Sequence, residues 1–292
     1  MKKLVEVIIK KVKDYGTLVM FSHTIFSFSF AAIAFLIASQ GKVNYRILIW
    51  ALIALLSART GANALNRAID AKIDAKNPRT AGRQIPKGEI TIRETLIFTA
   101  VCFALLILSA YQLNFLCFIL SPIALLMMTI YSYTKRFTWA CHLILGLTCS
   151  IAPVGAWLAV TGKFSFVPIL LAAINCLWVA GFDIIYGTQD YDFDRKNHIY
   201  SIPSRFGIRG ALIISSCLHL GAIALIFLFR YLYSPPMGLI FTLGCIIIAV
   251  LMFIQHKIVT PDNLANVTIA SYSISQITSI VLLITGVSDI FI

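Results

Sequence analysis

Acid is what this chain has least of: 12 Asp and Glu in 292 residues, against 24 Lys and Arg. Histidine is also sparse, with five residues, and the seven cysteines contain no C-x-x-C pair. Without such pairs neither a zinc site nor a disulfide framework is expected, and Cys102, Cys117, Cys141, Cys149, Cys176, Cys217 and Cys245 read as filler of apolar runs. With only 9 prolines, 16 glycines and 12% charged residues, disorder, collagen and an ordinary water-soluble domain are excluded. Apolar residues dominate instead, at 59% with a mean hydropathy of +0.89. The runs are long and unbroken rather than alternating, which excludes a β-barrel and leaves a helical bundle in a bilayer. A net charge of +12 raises the question of nucleic acid. In a membrane chain Lys and Arg collect in short cytoplasmic loops, so no nucleic-acid partner is expected.

Apolar windows fall at about 17–39, 46–69, 94–111, 114–133, 138–161, 166–187, 210–229, 235–255 and 268–288, giving nine expected spanning helices in a single domain, 1–292. Lys2, Lys3, Lys10, Lys11 and Lys13 precede the first window. Its apolar run is too long for a signal peptide, so it is expected to stay as the first span. With a cytoplasmic N-terminus, 18 basic residues fall inside and 4 outside, while Arg59 and Arg67 lie within the second span. The C-terminus then lies outside, and the membrane is expected to be the inner (plasma) membrane. Two polar stretches, 70–93 and 187–209, are longer than ordinary helix connections and both fall on the cytoplasmic side, where they are expected to form a cap over the functional site.

Six of the twelve acids fall in two short clusters: Asp70 and Asp74 after the second span, and Asp183, Asp190, Asp192 and Asp194 after the sixth. Steps of four place Asn66, Asp70 and Asp74 on one helical face, with Asn63 and Arg59 extending it. Steps of three, four and four place Asp183, Tyr186, Asp190 and Asp194 on another, with Asp192 pointing elsewhere. Two acidic stripes at a membrane boundary, with oxygen donors and no His or Cys partners, suit Mg²⁺, and Mn²⁺ fits the same donors. Asp70, Asp74, Asp190 and Asp194 are the expected metal ligands, and a diphosphate bridged by such ions is the natural guest. Arg79, Arg83 and Lys87 follow the first stripe, and Lys135 and Arg136 close the fourth span, so both Arg and Lys are available to phosphate oxygens. The competing reading is plainer: acids paired with neighbouring cations on a solvated loop, and cations placed by topology alone. His23, His142 and His198 are not spaced as ligands and are assigned no chemistry.

These residues resemble the UbiA superfamily of intramembrane aromatic prenyltransferases. The family's first motif, N-x-x-x-D-x-x-x-D, matches Asn66, Asp70 and Asp74, and its second, D-x-x-Y-x-x-x-D-x-x-x-D, matches Asp183, Tyr186, Asp190 and Asp194. Asn77-Pro78-Arg79-Thr80, Arg83, Tyr131 to Arg136 and Pro153 to Gly155 follow in the family's order. The resemblance implies nine helices around a central cavity with a cytoplasmic cap, and transfer of a polyprenyl group from its diphosphate to an aromatic ring carbon. It implies that Arg79, Arg83, Lys135 and Arg136 stabilise the departing diphosphate and that Arg59, deeper on the Asn66 face, contacts the acceptor. Tyr131, Tyr133 and Tyr186 are candidates to line the pocket, since aromatic faces attract cations. Asp190 and Asp194 are both candidates to orient or deprotonate the acceptor phenol. The branch most similar acts on 4-hydroxybenzoate in ubiquinone synthesis; stretches 66–80 and 131–139 also resemble enzymes of futalosine-route menaquinone synthesis, whose acceptor is a dihydroxynaphthoate-type acid. The rival from another class is an ion-coupled transporter, whose carboxylates would lie near the bilayer midplane rather than at the ends of spans.

Overall fold

The computed structural model describes residues 14–19, 24–233 and 237–291; the basic tail that opens the orientation count lies outside them. The helices are α1 (Ile25–Ala38), α2 (Tyr45–Asp74), α3 (Ile92–Leu113), α4 (Phe115–Tyr133), α5 (Cys141–Thr161), α6 (Phe166–Gly187), α7 (Tyr191–Lys196), α8 (Ile202–Leu232), α9 (Leu239–Lys257) and α10 (Ser275–Phe291). Short 3-10 turns at Thr134–Arg136 and Thr188–Asp190 follow α4 and α6, and a π-helical turn, Ile269–Ile274, opens into α10. Among the described residues the β pairing is one isolated bridge, Thr260 with Asn263.

Eight helical stretches are long and apolar enough to cross a membrane. The window expected at 17–39 is represented by α1, whose 14 residues rise only about 21 Å against a hydrocarbon core of about 30 Å. Residues 20–23 of that window lie outside the description.

Local chemistry sets most of the boundaries. Asn44 accepts from the N–H groups of Arg46 and Ile47 at the start of α2. Thr91 and Glu94 form a reciprocal capping box on α3. Asn114 ends α3 and caps α4, accepting from the Cys117 N–H. Gly162, with φ of 62°, terminates α5 in the left-handed conformation that glycine adopts without steric cost. A capping box of Ser201 and Ser204, with Pro203 in the first turn, starts α8 at Ile202, well before the expected 210. Gly207 then breaks the helical path with φ of 74°.

The core lies around α6. Trp178 and Phe182 pack against Phe26 and Phe30 of α1, with Trp178 to Phe30 ring centroids 5.6 Å apart. Outward positions on α3 such as Ile97, Val101 and Leu105 are exposed, as expected where lipid takes the place of a protein neighbour. All seven cysteines are free thiols.

Candidate active site

Both acidic stripes reach one end of the bundle, but they do so differently. α2 runs on as a regular helix through Asp74, so Asn66, Asp70 and Asp74 share one face of it. The second stripe is not a continuous helix: the 3-10 turn at Thr188–Asp190 separates Asp183 and Tyr186 on α6 from Asp194 on α7. Arg79 restores the connection. Its Nε donates to Asp190 Oδ1 at 2.8 Å, Nη2 pairs with Oδ2, and Nη1 donates to the Tyr186 hydroxyl at 2.5 Å.

Each of three motif acids holds a cation from a loop. Asp70, 2% exposed, pairs with Lys135 and lies 3.4 Å from Arg136. Asn66 donates to its Oδ2 at 3.1 Å. Asp74, 4% exposed, accepts from Arg83 Nη1 on both oxygens at 2.7 Å. Asp190 also accepts from the Asn77 amide at 2.7 Å. The plainer reading of the sequence therefore holds in one respect, since these acids do pair with neighbouring basic residues. The loop is not simply solvated, because Asp70 and Asp74 are buried and a buried charge requires its partner. Burial acts against the Arg79 charge, but the Asp190 hydrogen bond and charge outweigh it and hold its pKa above the ordinary arginine value.

Asp194 is buried and accepts from the Ser201 hydroxyl at 2.8 Å. Asp192 is exposed. Tyr131 and Tyr186 line the cavity, whereas Tyr133 is 44% exposed and meets Arg136 on its outer side. Lys87 is also exposed and lies away from the cavity lining. The loops are tied together: Arg136 donates to the Ile69 carbonyl at 2.8 Å, and the Tyr200 N–H to the Lys135 carbonyl at 2.9 Å.

Among the described residues no three His, Cys, Asp or Glu converge as a preformed metal cage. The donor set nevertheless fits a hard divalent cation. It consists of carboxylate and amide oxygens, and the buried Oδ1 of Asp70 accepts no hydrogen bond from the described residues. Mg²⁺ takes one or two protein carboxylates and fills its octahedron with water and substrate oxygens, so a closed cage is not required.

Two cavities meet inside the bundle. The polar one, about 230 Å³, holds all five motif aspartates with Arg79, Arg83 and Lys135. The second, about 490 Å³, is almost wholly apolar and is walled by residues such as Phe28, Leu52, Leu120 and Ile151. Arg59, Asn63, Tyr131, Leu145 and Cys149 border both. Arg59 Nη1 donates to the Cys149 sulfur at 3.3 Å, and the Asn63 amide to the Val19 carbonyl at 2.5 Å. Cys149 is therefore more than filler.

Two cavity residues escaped sequence reasoning. Tyr272, from the π-helical turn, packs against the Tyr186 ring with centroids 4.5 Å apart and the planes tilted by 48°. His142, assigned no chemistry from spacing, is buried in the cavity wall with its Nδ1 2.7 Å from Asp183 Oδ2. No spacing rule links residues 142 and 183; only their positions on the packed helices α5 and α6 do.

A charged chamber opening onto an apolar one in a helical membrane bundle defines a membrane-embedded pocket for an amphiphile with an anionic head and a hydrocarbon tail. A profile of the UbiA prenyltransferase family matches residues 27–277, and the chain belongs to that family. The 4-hydroxybenzoate octaprenyltransferase of Vibrio campbellii is 30% identical over 227 residues, 77% of this chain and 78% of that protein. Among solved structures, the apo UbiA homolog from Aeropyrum pernix K1 is similar with a TM-score of 0.83 and 30% identity, over 91% of this chain and 98% of that one. A UbiA homolog from Archaeoglobus fulgidus bound to GPP and Mg²⁺ shares the fold, with a TM-score of 0.74 at 18% identity over 96% of this chain and 100% of that one.

Proposed function

We propose that this chain transfers a polyprenyl group from polyprenyl diphosphate to a ring carbon of an aromatic acid of the 4-hydroxybenzoate type, with Mg²⁺ as cofactor, in quinone synthesis. The observation that carries this reading is the shared border of the two chambers, which sets an anionic head and a long apolar tail on either side of Arg59 and Tyr131. The relative named for 4-hydroxybenzoate octaprenyl transfer and the fold neighbour bound to GPP and Mg²⁺ support it.

In this reading Asp70, Asp74, Asp190 and Asp194 hold the divalent cation, which supplies charge neutralisation for the leaving diphosphate. Arg79, Arg83 and Lys135, now bound to aspartates, exchange a carboxylate for phosphate oxygens, with Arg136 beside them. The electron pair of the allylic C–O bond leaves with the diphosphate, and the apolar chamber keeps water from the allyl cation that remains. Tyr131 and Tyr186 offer ring faces to the positive charge. Arg59 holds the carboxylate of the acceptor, whose electron-rich ring carbon forms the new C–C bond.

We place the polar mouth on the cytoplasmic side of the inner membrane, with nine spans and a cytoplasmic N-terminus, because 18 basic residues fall on that side and 4 on the other. The loops at 75–91, 134–140 and 188–201 then form the cap. A transporter would need its carboxylates near the midplane, whereas these lie at helix ends. Asp70→Asn and Asp190→Asn are expected to abolish transfer while the protein still inserts and purifies as the wild type does. Lys135, Arg136 and Arg79 are each 27–34% exposed, so water can hydrate the cations set free. Wild-type turnover in either variant would sink the assignment of these carboxylates.

A further inference from the structure

Three of the five aspartates in the polar chamber are held by lysine or arginine; among the described residues Asp194 is held by Ser201 and Asp183 by His142. Asp183 and Asp194 therefore share the lack of a permanently charged partner among the described residues, and of the two Asp183 is the one with a partly exposed side chain, Asp194 being buried. Asp183 lies on α6, seven residues before Asp190, and lines the same chamber that Arg59 and Cys149 border. One oxygen, Oδ2, meets His142 Nδ1 at 2.7 Å, and its side chain remains 24% exposed to the chamber. The imidazole has little room to move. Its Nε2 is enclosed without a hydrogen-bond partner among the described residues, and a Cβ at Gly187 would fall 2.8 Å from His142 Cε1.

We propose that His142 is a positioning residue that fixes Asp183 as the acceptor of the ring proton. This rests on the prenyl-transfer reading. Once the new C–C bond forms, the attacked ring carbon still carries its hydrogen and the ring is a cation. Asp183 Oδ1 takes that proton, the C–H electron pair restores the aromatic ring, and Asp183 becomes a neutral carboxylic acid held through Oδ2 by the Nδ1–H of His142. A ring cation is a strong acid, so placement of the carboxylate matters more than its basicity. Asp190 and Asp194 are poorer candidates. Both are assigned to the divalent cation in the prenyl-transfer reading, and Asp194 lies in a buried side chain bonded to Ser201 in the loop layer. The stretch between Arg59 and Asp183 suits one aromatic ring with a carboxylate at one end. On α5, His142 and Cys149 are seven residues apart, about 10 Å of helix, enough for a ring with a hydrogen bond of about 3 Å at each end.

The test compares wild type, Asp183→Asn, His142→Leu and His142→Gln with a ring-protiated and a ring-deuterated acceptor. Asp183→Asn and His142→Leu are expected to lower kcat about 100-fold or more, the range of general acid–base catalysis, with KM for the allylic diphosphate unchanged. Both should also show a larger slowing by ring deuterium than the wild type, because proton removal becomes rate-limiting. The glutamine amide of His142→Gln can donate to Oδ2 and should recover much of the rate. Gly187→Ala, which displaces the imidazole without removing it, is expected to give the same split and stands in if His142→Leu does not fold. A purely structural His142 would lower the yield of active enzyme without moving the isotope effect, and that result overturns the assignment. Wild-type product with deuterium-insensitive variants refutes His142 and Asp183 alone; no wild-type product with any aromatic acid refutes the prenyl-transfer reading and this inference together.

Discussion

Replacing Arg79 with glutamine should separate diphosphate recognition from acceptor recognition. Arg79 presents Nε and Nη2 as a fork to Asp190 and lies 4.9 Å over the Tyr186 ring. The same fork matches two phosphate oxygens. A hydrogen bond to a charged group contributes about 1.5–3 kcal/mol, so two of them offer about 3–6 kcal/mol to the departing diphosphate. Part of that is offset by giving up Asp190. A net of about 2–3 kcal/mol remains, a 30- to 150-fold loss in kcat/KM for the prenyl diphosphate. Arg79→Lys keeps the charge and loses the fork, so it should fall between glutamine and wild type. Stability should change by about 1 kcal/mol or less, because Asp190 keeps the Asn77 amide. The assay is steady-state transfer in proteoliposomes with each substrate varied in turn. A change confined to the acceptor KM, or none at all, would refute the placement of the diphosphate at this end of the chamber.

Two further outcomes follow from the chambers and the far end of the bundle. Gly155 lines the apolar chamber with no atom within 4 Å of a Cβ built on it. Gly155→Leu should therefore fill space the tail needs, lowering the longest allylic diphosphate accepted while short ones turn over as before; an unchanged length profile would place the tail elsewhere. Asp289 caps α9, accepting from the N–H groups of Gly238 and Phe241. Asp289→Ala should cost about 1–2 kcal/mol of stability, read as a lower melting temperature, with kcat intact; a large loss of kcat at full stability would tie this end to catalysis.

The apolar runs made the bundle legible because a spanning helix needs little beyond length and hydropathy. The boundaries were less so. The window placed at 210 begins at Ile202 because Ser201, Pro203 and Ser204 form a helix start inside a polar stretch. The Asn66, Asp70, Asp74 stripe was readable because α2 stays helical to Asp74. The second stripe was only half readable, since the 3-10 turn at Thr188–Asp190 breaks its period. Composition also showed that acids and loop cations would share one end, but not which carboxylate takes which cation. Asp70 meets Lys135, 65 positions away, through the packing of helices rather than through spacing. His142 was invisible for the same reason: its partner is 41 residues distant.

The most direct test of prenyl transfer is to supply membranes containing this protein with one allylic diphosphate and, in parallel, 4-hydroxybenzoate or 1,4-dihydroxy-6-naphthoate, each with Mg²⁺ and with EDTA. The account predicts a prenylated product from 4-hydroxybenzoate that forms with Mg²⁺ and vanishes with EDTA. Product from the naphthoate alone would contradict the acceptor assignment and move the enzyme to the menaquinone branch, and no product from either would contradict prenyl transfer to an aromatic acid altogether.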